Sequence, residues 1–186
     1  MTKDVLRFFG RYIVNPRFTG SVCPSSRFLS RKMVSGASLK RGGLVLELGP
    51  GTGPVTKCIL ECGVAAQNIY SIEFDPTLAQ ALRARYPQIN VITGSAEDLS
   101  THLGERKEDL KSIISSLPLV SLPDPVVKKI IKEIESVLPK GGTFVQFTYN
   151  LCRKPSSLGF TRMRHIKTSF VPINIPPARV DVFERV

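Results

Sequence analysis

Three short stretches hold the residues whose types and spacing could do chemistry. The first is Glu47-Leu48-Gly49-Pro50-Gly51-Thr52-Gly53, at the end of the apolar run Leu44–Leu48. Its glycines permit a tight turn and let a ligand approach the backbone. The G-x-G-x-G spacing differs from the G-x-G-x-x-G of dinucleotide folds, and no Lys-Ser/Thr pair follows as in a P-loop. Glu47 ahead of the loop would repel a pyrophosphate but suits a ligand with a positive amino group. The second stretch, Ile72-Glu73-Phe74-Asp75, closes another apolar run. An acid about twenty residues past the loop can bind both hydroxyls of a ribose. The third, Gly94-Ser95-Ala96-Glu97-Asp98, closes a further run where an adenine would lie. A glycine-rich loop alone is shared by many nucleotide binders, and Asp75 equally suits a helix N-cap. Taken in order, each at the end of an apolar run, the three describe a ligand with a ribose, an amino group and no phosphate. S-adenosylmethionine is such a ligand.

Elements must position these stretches. Leu44–Leu48 and residues 68–74, 89–93, 112–116 and 143–149 are short apolar runs that predict strands. The intervening pattern predicts helices over Pro54–Glu61, with proline in the first turn, over Pro76–Arg85 and over Asp124–Val137. A helix with a serine N-cap is expected from residues 24–26 to about Ala37. The last third predicts a short helix near 158–164, then strands near 166–171 and 178–184. His102 reads as part of a charged loop, without a role. Alternating strands and helices predict an α/β, doubly wound, mostly parallel sheet of seven strands with helices on both faces. Ligands in such folds bind at the carboxyl ends of the strands, near the switch point.

Charge and cysteine usage narrow the class. The 186 residues carry a net charge of +11. Residues 1–46 hold nine Lys/Arg and one acid, residues 151–186 seven and two, while the middle is close to neutral. Two basic ends around a neutral centre point to an anionic partner surface, nucleic acid or acidic lipid. In residues 3–13, Val5, Leu6, Phe8, Phe9, Tyr12 and Ile13 share one helical face and the charged residues the other. That pattern suits a membrane interface or packing on the chain's own domain. No run approaches the ~18 apolar residues of a membrane span, and no signal peptide is expected. Cys23, Cys58, Cys62 and Cys152 form no Cys-x-x-Cys pair, and the two histidines, His102 and His165, complete no ligand set. No metal site is expected, and the cysteines read as small hydrophobes in a reducing compartment.

E-L-G-P-G-T-G, S-I-E-F-D and I-T-G-S-A together resemble the class I S-adenosylmethionine-dependent methyltransferases. E-L-G-P-G-T-G-P-V-T also resembles the start of ribosomal RNA adenine dimethyltransferases. A narrower family, the bacterial phospholipid N-methyltransferases acting on phosphatidylethanolamine, is similar over more of the chain. It is matched by G-S-V-C-P-S-S-R-F-L-S-R-K-M at 20–33, S-S-L-P-L at 115–119, Q-F-T-Y at 146–149 and I-P-P-A-R-V at 175–180. The resemblance implies a Rossmann-like methyltransferase domain over 41–186, preceded by a basic helical segment over 1–40 acting as membrane anchor and substrate lid. It implies S-adenosylmethionine as methyl donor and S-adenosylhomocysteine as product. Carried over by position, Gly49, Gly51 and Gly53 would line the methionine end. Glu47 would face the amino group through water, and Glu73 would take the ribose hydroxyls. Ala96 and Glu97 would lie beside adenine, with Ser95 in place of the usual acid and Ser115 close by.

Two substrate readings follow. Adenine N6-methyltransferases hold the base with an Asn/Asp-Pro-Pro/Leu-Pro-aromatic motif after the fourth strand, whose ring stacks on the flipped base. Here Ser115-Ser116-Leu117-Pro118-Leu119 keeps the proline and lacks the amide and the ring. The lipid reading takes Leu117, Pro118 and Leu119 as an apolar wall, Tyr149 as the group orienting the amine, Arg27 as a phosphate ligand and Tyr12 as a contact to cofactor or substrate. The expectation is successive N-methylation of phosphatidylethanolamine towards phosphatidylcholine. The enzyme would be a cytoplasmic monomer, peripheral to the inner face of an anionic membrane, with no nucleic-acid partner. The alternatives are a ribosomal RNA adenine N6-methyltransferase and a non-catalytic membrane adapter.

Overall fold

The computed structural model describes residues 26–39, 43–152 and 154–186. Its strands are β1 (Leu44–Leu48), β2 (Ile69–Glu73), β3 (Asn90–Thr93), β4 (Leu110–Ser115), β5 (Thr143–Thr148), β6 (Met163–Val171) and β7 (Ala178–Arg185). They form one sheet in the order β3-β2-β1-β4-β5-β7-β6. The first five are parallel; β7 runs antiparallel to β5 and pairs with β6 as a closing hairpin. The strand order reverses between β1 and β4, which opens a crevice at their carboxyl ends.

The helices are α1 (Arg27–Gly36), α2 (Pro54–Glu61), α3 (Pro76–Arg85), α4 (Leu99–Leu103) and α5 (Asp124–Val137). Every residue of β1 and β2 is buried, as expected where both faces of a parallel sheet are covered. Alternation along β1 divides the core. Leu44, Leu46 and Leu48 pack with α4 and α5, while Val45 packs with α1, α2 and α3. Ser26 caps α1 by accepting from the Leu29 N–H at 3.3 Å, and Asp75 caps α3 by accepting from Thr77 and Leu78.

Three features differ from the sequence expectations. The short helix expected near 158–164 is a 3₁₀ turn at Pro155–Leu158, ended by Gly159 at φ +79°. From Met163 onward the chain is β6, because pairing with β7 up to Met163↔Arg185 overrides local preference. His102 sits on α4, a helix absent from the expectations, which Leu99 and Leu103 hold against α5. Finally, Leu29, Met33 and Val34 of α1 join one core with Val145, Val180 and Val182. A Cβ on Gly36 would lie 2.8 Å from Val182 Cγ2. The described part of residues 1–40 is thus built into the sheet domain. The amphipathic helix expected over 3–13 lies outside the described residues.

Candidate active site

The loops after β1, β3 and β4 continue the sheet's own hydrogen bonding. Gly49 N–H donates to Ile72 C=O at 3.0 Å, Gly94 N–H to Glu73 C=O at 2.9 Å and Ser116 N–H to Leu48 C=O at 2.9 Å. The loops therefore leave the strands at fixed angles. Gly51 adopts φ +56°, a conformation that favours glycine, and a Cβ there would meet nothing within 4 Å. The open side of the loop is thus free for a ligand. Gly49 is closed instead: a Cβ would lie 2.9 Å from Leu117 Cδ2, so the wall after β4 packs directly on the loop. Gly53 is the N-cap of α2.

Glu73, buried at the end of β2, is held from two sides. Its Oε2 accepts from Gly51 N–H and its Oε1 from Asp75 N–H, each at 3.0 Å. Burial pushes its carboxyl above the ordinary value, against the lowering effect of those two N–H groups. Each oxygen keeps a lone pair for a further donor. Glu73, Gly49 and Gly51 line one wall of a cleft that is partly open to solvent. Gly94, Ser95 and Ala96 line a second wall, and Leu117, Pro118 and Leu122 a third.

Comparison with known proteins shows the family. Residues 45–142 match a family of methyltransferase domains. The chain belongs to the class I S-adenosylmethionine-dependent methyltransferases. It is 32% identical to an ornithine lipid N-methyltransferase of Singulisphaera acidiphila over 183 residues, 95% of this chain and 93% of that protein. It is 42% identical to ribosomal RNA small subunit methyltransferase A of Chlorobaculum parvum over 66 residues, 36% of this chain and 23% of that one. Its fold is similar to that of 1,6-didemethyltoxoflavin-N1-methyltransferase from Burkholderia thailandensis, solved with bound 1,6-didemethyltoxoflavin and S-adenosylhomocysteine. There the TM-score is 0.73 at 13% identity, with 100% of this chain and 91% of that chain covered.

The cleft of this methyltransferase fits S-adenosylmethionine. Glu73 has two oxygens that could bind a ribose, Gly51 presents an open backbone face that could admit the methionine end, and Gly94, Ser95 and Ala96 complete that side of the lining. Glu47 lies deeper than the lining residues. Its Oε2 accepts from Thr56 Oγ1 at 2.6 Å and Ser71 Oγ at 2.9 Å, while its buried Oε1 has no partner among the described residues. Burial pushes its carboxyl up to about 7 despite the two hydroxyls. An unpaired buried acceptor behind the glycine loop fits a ligand that brings a positive amino group.

Seven of the sequence-predicted residues thus meet in the cleft: Gly49, Gly51, Glu73, Ser95, Ala96, Leu117 and Pro118. Others stand outside its lining. Ser115 Oγ is buried and accepts from Leu117 N–H at 3.3 Å, supporting the wall from behind. Glu97 accepts from Ser95 Oγ at 3.3 Å, which turns the carboxylate towards that hydroxyl. Arg27 is exposed in the first turn of α1. Tyr149 packs edge-on against Phe147 at 5.2 Å, beside the core that α1 covers. Leu119, expected in the apolar wall, is buried in the core, and Leu122 takes its place in the cleft. Tyr12 lies outside the described residues.

Two residues escaped the sequence reading. Gln146 on β5 donates from Nε2 to the carbonyls of Leu117 at 2.9 Å and Phe147 at 2.7 Å, and its buried Oε1 has no partner among the described residues. It fixes the backbone of the apolar wall. The available signal was a lone amide inside the buried run Thr143–Thr148. His102 packs its ring on Gly94, in the space a Cβ would need, with Nε2 buried. It thereby backs the Gly94–Ala96 wall.

Proposed function

We propose that this methyltransferase N-methylates the amine of a membrane amino lipid. The observation that carries the reading is the similarity to a lipid N-methyltransferase along nearly the whole of both chains. The site supports it. The wall after β4 presents Leu117, Pro118 and Leu122 where a base-modifying enzyme needs a stacking ring. The headgroup is phosphatidylethanolamine, as the sequence resemblance implies, or an ornithine lipid, the substrate class in the relative's name. The shared chemistry is a primary amine on a lipid with acyl chains.

When bound, S-adenosylmethionine supplies an electrophilic methyl group on a sulfonium. The chain's own residues supply position and environment. Glu73 and the glycine loop fix the ribose and methionine end. Gln146 holds the Leu117 carbonyl, and through it the wall against which the headgroup lies. Leu117, Pro118 and Leu122 exclude water, and desolvation favours the neutral amine whose lone pair must attack. The amine releases its proton to solvent at the mouth of the cleft.

The setting in this reading is peripheral, on the inner face of an anionic membrane, with the enzyme as a monomer. Among the described residues no helix is long and apolar enough to cross a membrane. The basic ends of the chain would draw it to anionic lipid, each Lys or Arg near the surface contributing on the order of 1 kcal/mol. Expression in a bacterium that makes unmethylated ornithine lipid and phosphatidylethanolamine tests the proposal. Mass spectrometry of the lipid extract should show methylated forms of one of them. An unchanged lipid profile, with soluble protein that binds S-adenosylmethionine, would contradict it.

A further inference from the structure

The described residues expose eight large hydrophobic side chains, and five of them are tied together at one place. Phe170, Ile173 and Ile175 belong to the β6–β7 hairpin and are 63%, 65% and 81% exposed. Phe170 stands opposite Arg179 in the register. Arg179 in turn donates from Nη1 to the Leu151 carbonyl at 2.9 Å, which brings exposed Leu151 alongside. Ser26 N–H donates to Asn174 Oδ1 at 3.2 Å, which anchors the start of α1, and exposed Phe28 two residues on, to the hairpin tip.

Topology fixes where this cluster lies. β7 is antiparallel to both β5 and β6, so β6 runs in the same direction as β5. The hairpin tip therefore stands at the carboxyl edge of the sheet, the edge on which the cleft opens. We infer that the β6–β7 hairpin tip, led by Ile173 and Ile175, is a membrane-entering element that docks this edge onto an anionic phospholipid bilayer. The inference rests on the amino-lipid reading of the cleft and names the surface by which that substrate is met.

Two observations select a bilayer. The first is charge. Residues 151–180 contain no Asp or Glu, Lys154 is exposed in the segment that follows β5, and Lys167 is exposed on β6. An apolar tip with cations and no acids along the segments that lead to it matches the acyl and headgroup layers of an anionic leaflet. The second is the tip's internal bonding. Asn174, between the two isoleucines, is only 2% exposed. Its side chain donates to Pro176 C=O at 2.7 Å and its N–H to Val171 C=O at 3.3 Å. Pro172, Pro176 and Pro177 carry no N–H, so these bonds leave few donors that the tip would have to strip of water.

The chain has no tryptophan, so Ile175→Trp gives a single fluorescent probe. With vesicles of phosphatidylethanolamine and phosphatidylglycerol, its emission should shift to the blue and be quenched by lipids brominated on the acyl chains. Emission that stays at its aqueous position would overturn the inference. So would a shift that follows protein concentration without vesicles, which assigns the tip to a second copy of the chain. In parallel, Ile173→Ser/Ile175→Ser should partition onto these vesicles about tenfold more weakly. Its binding of S-adenosylmethionine and its turnover of a water-soluble short-chain amino lipid should be unchanged. Partitioning within about twofold of the parent protein would also overturn the inference. The two readings fail separately. An indole buried in vesicles that the enzyme never methylates upholds the docking surface and removes the substrate reading. Methylated vesicles with the indole left in water remove the docking surface alone.

Discussion

At the β1–β3 end of the sheet's carboxyl edge, polar groups are buried and pinned; at the β5–β7 end, apolar groups are exposed. Glu73 accepts from Gly51 and Asp75, Glu47 from Thr56 and Ser71, and both carboxyls are held inside the protein. Across the switch point, Phe170, Ile173 and Ile175 stand in solvent among cations. The difference matches two kinds of ligand. A small polar cofactor is recognised by a few fixed donors and acceptors, so its half must be rigid before binding. A lipid is recognised by burial of a large apolar surface, so its half can remain exposed until a membrane covers it. Gln146 joins the two, reaching from β5 to the carbonyl of Leu117, whose side chain packs on Gly49.

The comparison breaks most readily at Glu73. Glu73→Ala removes both ribose acceptors and the partner of Gly51, and should weaken S-adenosylmethionine about 100-fold or more by calorimetry. Affinity within about threefold of the parent would mean that the pinned half does not recognise the ribose.

Glu47 tests the same half through stability. Its carboxyl ionises near 4.5 ordinarily and near 7 in the folded protein. The folded chain therefore holds the extra proton between these values. The stability this contributes is complete below about 4.5 and is lost as the pH rises to about 7. Glu47→Gln cannot ionise and should flatten that decline, leaving the variant relatively more stable at pH 8 than at pH 4.5 by on the order of 2 kcal/mol. Denaturant unfolding at the two pH values measures it. Parallel pH profiles for parent and variant would show that burial does not hold the carboxyl neutral.

The other half is sharpened by Gln146→Leu, which frees the Leu117 carbonyl. Methyl transfer to lipid should fall about tenfold while the S-adenosylmethionine Kd stays unchanged, since only the substrate wall loses its support. A matching loss of cofactor affinity would merge the two halves into one. The smallest effect belongs to Tyr149→Phe. The ring packs on Phe147 outside the cleft lining, and turnover should change by less than about threefold. A larger loss would support Tyr149 as the residue that orients the amine.

The cofactor half was readable in the sequence because its chemistry is local. The glycine spacing, Glu73 at a strand end and the Asp75 cap each act within a few residues of where they stand. β1, α2, α3 and α5 were legible to within a residue for the same reason: the apolar pattern is local, a proline stands in the first turn of each of the three helices, and α3 adds the Asp75 cap. The substrate half depends on contacts far apart in the chain. Gln146 reaches Leu117 from the neighbouring strand, and Leu122 lines the cleft while Leu119 is buried in the core. β6 begins at Met163 only because β7 is there to pair with it. A sequence shows that Ile173 and Ile175 are apolar. That a buried Asn174 holds them outward is a property of the folded hairpin.

The most direct test of the account is transfer of labelled methyl from S-adenosylmethionine by the purified protein. Mixed vesicles containing phosphatidylethanolamine and ornithine lipid should be offered together with total RNA in one reaction. The expected result is label in the lipid fraction, rising with the anionic lipid content of the vesicles. Label in RNA with none in lipid would contradict the account, and would mean that the Ser-Ser-Leu-Pro-Leu wall holds a base.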